Sequence, residues 1–295
     1  MTHSTLASAA GRFTFPGSDL SVNRMGFGAM QLAGPHVFGE PKDPEECRAV
    51  LKEALALGID HIDTSDFYGP YVTNRLIAET LHPYADNLVL VSKIGGWRDD
   101  QGGWNMNHSP DFLRKSVEDN LERLKIDQVP IVNLRMGSVA GFSDDAELAV
   151  PMQTMRQLQE EGLIGHIGLS TVTETQIRIA QDIAPIVCIQ NHYNLVHRDD
   201  DAMIDSLAEQ GIAYVPYFPL GGFMPYQSEE LDSVAAELNA SAQQVALAWL
   251  LQRSPNMLVI PGTSKRAHLK DNIAAAALKL DAAHLARLNA IVTMK

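Results

Sequence analysis

The chain has 295 residues, 45% of them hydrophobic, and a formal net charge of −13. Its length suits one α/β barrel or two average domains, and its negative charge argues against general affinity for nucleic acid or anionic lipid. No run reaches the roughly 18 apolar residues of a membrane span, and the two cysteines, Cys47 and Cys188, make neither a disulfide framework nor a metal cluster.

The first residues, MTHSTLASAAGRF, lack the basic and apolar regions of a secretory signal, so a cytoplasmic location is expected. RFTFPGSDLSVNR, residues 12–24, predicts a hairpin around Pro16-Gly17. MGFGAM, from Met25, predicts the first core strand. The helix DPEECRAVLKEALALG follows, with Asp43 as N-cap, Pro44 in its first turn and Gly58 at its end. IDHID then predicts a strand, 73–82 a helix, LVLVSK a strand, and Ser109-Pro110 to Leu124 a helix. VPIVNLR, residues 129–135, leads to a helix near 145–161. IGHIGLS, a helix opening at Thr173, PIVCIQN, a helix over 200–210 and IAYVPYF continue the alternation. Two helical stretches over 229–252, MLVIPG at 257–262, a helix at 264–276 and a last one at 281–292 complete it. Thr173 with Gln176, and Ser241 with Gln244, have capping-box spacing.

Eight short strands rich in Val and Ile, separated by amphipathic helices, predict a parallel sheet buried on both faces. A doubly wound sheet would want Gly-x-Gly-x-x-Gly after a strand, and Gly26-Phe27-Gly28-Ala29-Met30-Gln31 lacks the third glycine. The expectation is a (β/α)8 TIM barrel forming one domain over residues 1–295, with an N-terminal β-hairpin and an extra C-terminal helix. Functional groups of such barrels gather at the C-terminal ends of the strands, where Asp63, Lys93, Arg135, Ser170, Gln190, Tyr217 and Pro261 fall.

The segment GIDHIDTSDFYG, together with the lysine of LVLVSKIGG, puts an acid, a phenol and an ammonium at the ends of two successive strands. A phenol of pKa about 10 is a poor acid near neutrality. A close ammonium favours the phenolate, and a carboxylate keeps that ammonium charged and in place. Asp63, Tyr68 and Lys93 thus suit proton donation to a carbonyl oxygen receiving a hydride. No His/Asp/Glu grouping has metal-ligand spacing, so no metal is expected. Ser170 lacks the Gly-x-Ser-x-Gly elbow of a serine hydrolase.

Over nearly its whole length the chain resembles the aldo-keto reductases, through GFGAMQL, GIDHIDTSDFYG, VSKIGG, IGHIGLS, IQNHYN, VPYFPLGG and IPGTSKRAHLKDN in that order. The resemblance implies an NADPH-dependent carbonyl reductase in which Tyr68 is the general acid, assisted by Lys93 and Asp63. It implies that Ser170 and Gln190 hold the nicotinamide carboxamide and that Tyr217 is the platform under the nicotinamide ring. Leu220 to Gly222 then run along the pyrophosphate. Gly262, Thr263, Ser264 and Lys265 fall at the 2′-phosphate end, with Asp271 and Asn272 near the adenine. Gly28, Met30 and Pro261 count among the cofactor-binding residues. The start of the 264–276 helix offers unpaired N–H groups to a phosphate, and Lys265 and Arg266 add the positive charge an acidic protein needs there. His268 stands where many relatives have an arginine, so weaker discrimination against NADH is compatible. Each residue also has a plain structural reading: Tyr217 as core, Gln190 as a buried polar cap, Lys265 as a solvated helix residue. Their shared location favours one site.

Most members carry a histidine at the end of the fourth strand, where this chain has Arg135. A guanidinium donates hydrogen bonds but always carries its charge. Asn133-Leu134-Arg135, with MQLAGP and IDTSDFYGP, resembles the bacterial pyridoxal reductase subgroup, which implies reduction of pyridoxal to pyridoxine in vitamin B6 salvage. Two readings of Arg135 stand: it pairs with the phenolic oxygen ortho to the aldehyde, or it pairs with a carboxylate such as Asp63. A broad aldehyde or ketone reductase, and a regulatory nucleotide-binding subunit with little turnover, are the alternative functions. His61 is expected to pack beneath the site on the face of Ile59 and Asp63, whereas His192 at a strand end could point outward. Asp199-Asp200-Asp201 reads as a charge run at a helix N-terminus. The loop carrying Trp97 and Trp104, and the loop GSVAGFSDD after Arg135, are candidate substrate walls; the two tryptophans also suit packing on the barrel exterior. The expected partner is a small carbonyl compound, and the sequence does not fix the oligomeric state.

Overall fold

Residues 6–137, 148–222 and 228–292 are described by the computed structural model. The predicted hairpin forms from β1 (Arg12–Thr14) and β2 (Ser21–Asn23), antiparallel with Phe13 opposite Val22. It is tied to the start of the next strand by polar bonds. Asn23 N–H and the Arg12 guanidinium both donate to the Asp60 carboxylate, at 2.8 and 2.9 Å. Asp60, the first polar residue of IDHID, is thus the anchor of this hairpin.

The barrel strands follow as β3 (Phe27–Gly28), β4 (His61–Asp63) and β5 (Val89–Ile94). A small antiparallel pair, β6 (Gly96–Arg98) and β7 (Trp104–Met106), interrupts them. β8 (Val129–Arg135), β9 (Ile164–Ser170), β10 (Ile186–Gln190) and β11 (Ala213–Tyr214) then continue the series. Seven parallel strands lie in the order β3-β4-β5-β8-β9-β10-β11. The eighth predicted strand, MLVIPG, forms no regular strand but bonds to both edges. Leu258 N–H donates to Tyr214 O, Val259 N–H donates to Arg24 O, and Gly26 N–H donates to Val259 O, at 2.9, 2.9 and 2.8 Å. Gly28 N–H reaches Pro261 O, so the sheet closes on itself.

Alternation along the strands divides the apolar residues into two sets. Val89, Val91, Ile131, Cys188, Ala213, Val215, Leu258 and Ile260 fill the barrel interior, joined by Phe15 and Val22 of the hairpin region and by Val187 at an irregularity in β10. Leu90, Val132, Leu134, Ile167, Leu169 and Ile189 belong to the larger core shared with the helices. The same parity sends Asp63, Lys93, Arg135, Ser170 and Gln190 inward at one end. His61 is buried on the inward face of β4, where a Cβ on Gly26 would fall 2.1 Å from its ring. Its predicted place beneath the site is the one it takes.

The helices are α1 (Pro44–Ala56), α2 (Val72–Leu81), α3 (Pro110–Leu124), α4 (Ala149–Glu160), α5 (Glu174–Gln181), α6 (Asp201–Glu209), α7 (Glu229–Glu237), α8 (Ala242–Arg253), α9 (Arg266–Ala274) and α10 (Ala282–Asn289). Asp43 caps α1, and both predicted capping boxes form. A third box, Asp281 with His284, opens α10, the extra C-terminal helix. The start of the helix predicted near 145, and most of GSVAGFSDD, lie outside the described residues. Among the described residues no helix is long and apolar enough to cross a membrane.

Candidate active site

Strands β4 and β5 are neighbours in register, with Asp63 opposite Val91, which brings the inward side chains of Asp63 and Lys93 together. Lys93 Nζ donates to Asp63 Oδ1 at 2.5 Å and to Thr64 O at 3.0 Å. Only 3% of the lysine side chain and 5% of the aspartate side chain are exposed. Burial pushes the Lys93 pKa down, but the Asp63 carboxylate and the Tyr68 oxygen outweigh it, so the pKa lies above the usual lysine value. The ammonium is therefore charged at neutral pH. The other oxygen of Asp63 accepts from Gln190 Nε2 at 2.8 Å.

Tyr68 sits on the turn after β4, where a buried polar network holds the backbone. Thr64 Oγ1 donates to Asn74 Oδ1, and Asn74 Nδ2 donates to Asn120 Oδ1, each at 2.8 Å. Ser92 Oγ donates to Asn120 as well, and Thr73 Oγ1 donates to Tyr68 O. The loop is thus fastened to α2 and α3. The Tyr68 ring packs edge-on against Phe67 at 5.4 Å, within a small cluster with Ala33, Val37 and Met30. Lys93 Nζ lies 5.2 Å from the Tyr68 ring centroid. None of these supporting asparagines was singled out from the sequence; their partners lie on three separate elements.

Asp66 shares this loop and pairs with Arg123 at 2.6 Å. Burial raises its pKa to about 7, Arg123 opposing and Asp119 adding to the rise. A raised carboxyl pKa means that the folded chain holds the proton more tightly than the unfolded chain does. The associated stability is full below about pH 4 and is lost as pH rises through about 7. Asp66→Asn removes the charge that must be buried above pH 7. Its melting temperature is expected to gain on the parent protein between pH 5 and pH 8, by about 2 °C for each kcal/mol of the linkage. Calorimetry at the two pH values checks this; a difference that does not change with pH would refute it.

The cleft at the barrel mouth is lined by Gly28, Met30, Asp63, Tyr68, Lys93, Arg135, Gln190, Tyr217, Leu220, Gly222, Pro261 and Gly262, all singled out in the sequence. Phe67, Trp104, Gln31, Phe218, Pro219 and Ile260 complete it. Gly28 and Gly262 have a second duty. A Cβ on either would fall 2.4–2.5 Å from a carbonyl oxygen of the opposing segment, so their bareness permits barrel closure. Of the two tryptophans, Trp104 joins the cleft, stacked under the Arg98 guanidinium at 3.9 Å and edge-on to Phe67. Trp97 lies 40% exposed, because hairpin register pairs Arg98 with Trp104 and turns Trp97 to the other face.

Arg135 is not paired to Asp63, whose oxygens are taken by Lys93 and Gln190. Among the described residues its guanidinium makes no ion pair, and its centre lies 5.5 Å from the Tyr217 ring. Its backbone carbonyl meets His108 Nε2 at 2.8 Å. His192 does not point outward: it stacks behind Tyr217 at 5.5 Å and on His197 at 4.0 Å. Burial, and then the neighbouring His197, lower its pKa to about 4, so it stands neutral in the stack.

Ser170 is fully buried beside Gln190 in the β9–β10 register. Ser170 Oγ and Gln190 Oε1 have no hydrogen-bond partner among the described residues. A buried hydroxyl donor and a buried carbonyl acceptor side by side match a ligand carboxamide, which offers one acceptor and one donor. Farther out, Thr263 Oγ1 accepts from Lys265 N–H at 3.1 Å, shaping the turn into α9. Ser264 and Lys265 border a second cavity with Lys42 and Cys47. His268 and Asp271 are exposed on α9, and Asn272 is buried. Arg266, expected to add positive charge here, is exposed and has its side chain paired with Glu46 at 3.1 Å. Asp200 and Asp201 do more than meet a helix dipole: they accept from Tyr214 and Tyr193, both at 2.7 Å.

A closed parallel barrel with an acid, an ammonium and a phenol at its mouth is the architecture of a carbonyl-reducing enzyme. Residues 24–293 match the aldo/keto reductase family. A pyridoxine 4-dehydrogenase of Escherichia coli is 55% identical over 280 residues, spanning 94% of this chain and 98% of that protein. An uncharacterized oxidoreductase of Schizosaccharomyces pombe is 40% identical over 286 residues, 96% of this chain and 90% of that protein. The thermostable aldo-keto reductase Tm1743, crystallised with the inhibitor epalrestat, aligns with a TM-score of 0.80 and 26% identity, over 94% of this chain and 98% of that one. The chain belongs to the aldo-keto reductase family and is an oxidoreductase.

Proposed function

We propose that this enzyme reduces small aldehydes with NADPH, and that pyridoxal, reduced to pyridoxine, is its preferred substrate. The observation that carries the substrate is the Arg135 guanidinium, which makes no ion pair among the described residues and lines the same cleft as Tyr68 while Asp63 is committed elsewhere. Similarity to the E. coli pyridoxine 4-dehydrogenase, named for pyridoxine, the product of this reduction, supports the same pair of compounds. NADPH, when bound, supplies the hydride.

The chain's own residues do the rest. Ser170 and Gln190 hold the carboxamide, and Tyr217, backed by His192, offers its ring face as a platform. Leu220 to Gly222 and Pro261 flank the pyrophosphate. Lys265, at the entry to α9, meets the 2′-phosphate. Tyr68 gives its hydroxyl proton to the aldehyde oxygen, and the Lys93 ammonium, fixed by Asp63, stabilises the negative charge left on the phenol oxygen. Arg135 pairs with the phenolic oxygen ortho to the aldehyde and polarises the carbonyl from the side opposite Tyr68. Trp104 and Phe67 form an apolar wall for a flat aromatic substrate.

The test is NADPH oxidation with pyridoxal and with 4-nitrobenzaldehyde. The parent enzyme is expected to prefer pyridoxal. Arg135→His should lower kcat/KM for pyridoxal about tenfold to a hundredfold, the equivalent of about 1.5–3 kcal/mol for a charge-assisted hydrogen bond. Nitrobenzaldehyde has no phenolic oxygen and should lose much less. Equal losses on both substrates would sink the pairing, and turnover of nitrobenzaldehyde alone would leave a broad aldehyde reductase.

A further inference from the structure

The carboxylate of Glu46, in the first turn of α1, sits on the first residue of α9. Glu46 Oε1 accepts from the Arg266 backbone N–H at 3.1 Å, and Glu46 Oε2 accepts from Arg266 Nε at 3.1 Å. The contact joins residues 220 apart in sequence and holds an anion against a helix N-terminus and a guanidinium at once. The Arg266 side chain is 54% exposed and that of Glu46 only 20%, so the pair lies at the surface with the carboxylate as its inner member. Arg266 N–H is the largest influence holding the Glu46 carboxyl below the usual glutamate range. Lys265, one residue earlier, makes no ion pair among the described residues and borders the adjoining cavity with Lys42 and Ser264.

We propose that Glu46 sets nucleotide specificity by competing with the ribose 2′-phosphate for Arg266, an inference that rests on reading the entry to α9 as the 2′-phosphate end. A phosphate monoester near two negative charges would place like charge beside the carboxylate unless Glu46 gives up its seat. Lys265 then receives the phosphate alone, and Arg266 joins only at the expense of its bonds to Glu46. The carboxylate costs nothing to a nucleotide that lacks the 2′-phosphate. Glu46 thus narrows the gap between NADPH and NADH without touching the hydride-transfer site.

Calorimetric titration with 2′,5′-ADP, NADPH and NADH tests this on binding alone. Glu46→Gln keeps the size of the side chain and removes its charge. It is expected to tighten 2′,5′-ADP and NADPH about threefold to tenfold, in the range of a charged contact near a surface, and to leave NADH within about twofold. In an Arg266→Met background the gain should vanish. Unchanged or weaker NADPH binding in Glu46→Gln, with Arg266→Met still loosening NADPH, would overturn the competition and leave the 2′-phosphate reading standing. If Lys265→Met and Arg266→Met both leave the NADPH to NADH ratio as it was in the Glu46→Gln background, the 2′-phosphate reading itself fails and the inference with it.

Discussion

Tyr68→Phe should lower kcat for aldehyde reduction by about 10²–10⁴, the range of a positioned proton donor, and leave the dissociation constant for NADPH within about twofold. The substitution deletes one oxygen and keeps the ring. That ring is buried, edge-on to Phe67 and packed with Met30 and Val37. Its hydroxyl oxygen interacts with the Lys93 ammonium, and that ammonium keeps its bonds to Asp63 Oδ1 and Thr64 O when the oxygen is removed, so no partner is stranded. A drop in kcat with unchanged melting temperature and unchanged nucleotide affinity would therefore report the proton alone. Both kcat and kcat/KM should fall together, as they do when a contact made only in the transition state is lost. A variant that keeps more than about a tenth of the parent rate would be below the lower bound of that range, and the proton would have to come from elsewhere in the cleft.

The parts of this molecule that read directly from sequence are those set by local geometry. Their places at the C-terminal ends of two successive strands put Asp63 and Lys93 at the barrel mouth, and Asp43, Thr173 and Ser241 capped the helices their spacing announced. What escaped were contacts between residues far apart in the chain. Gln190, expected to face a carboxamide, spends its amide N–H on Asp63, 127 residues away, and keeps only its carbonyl oxygen open. Asn74 and Asn120 look like ordinary helix residues until α2 and α3 meet behind the Tyr68 loop. Trp97 and Trp104 were read as a pair, but a hairpin gives adjacent residues opposite faces, and the register chose Trp104 for the cleft. Glu46 and Arg266 carry no local pattern that announces their contact. The last barrel segment, MLVIPG, was legible as an extended run but not as an irregular one, because its pairing depends on the edges of β3 and β11 that it joins.

Lys93→Met should produce the largest combined loss, in stability and in activity, and the two can be separated. Methionine keeps the apolar stem but leaves Asp63 Oδ1 without its ammonium, in a site where the pair is almost wholly buried. Breaking such a pair from one side costs about 3–5 kcal/mol, because the remaining charge is neither solvated nor matched. Gln190 still holds the other oxygen, so the loss falls on one face of the carboxylate. Adding Asp63→Asn removes that stranded charge, and the double variant is expected to recover most of the stability in urea unfolding. It should recover none of the activity, since the ammonium that would stabilise charge on Tyr68 is gone in both. If activity returned along with stability, Lys93 would be a structural partner of Asp63 only, and the proton relay proposed for the cleft would lose its cation. A double variant that stays as unstable as the single one would instead locate the cost in the lost Lys93 bond to Thr64 O, and not in the buried carboxylate.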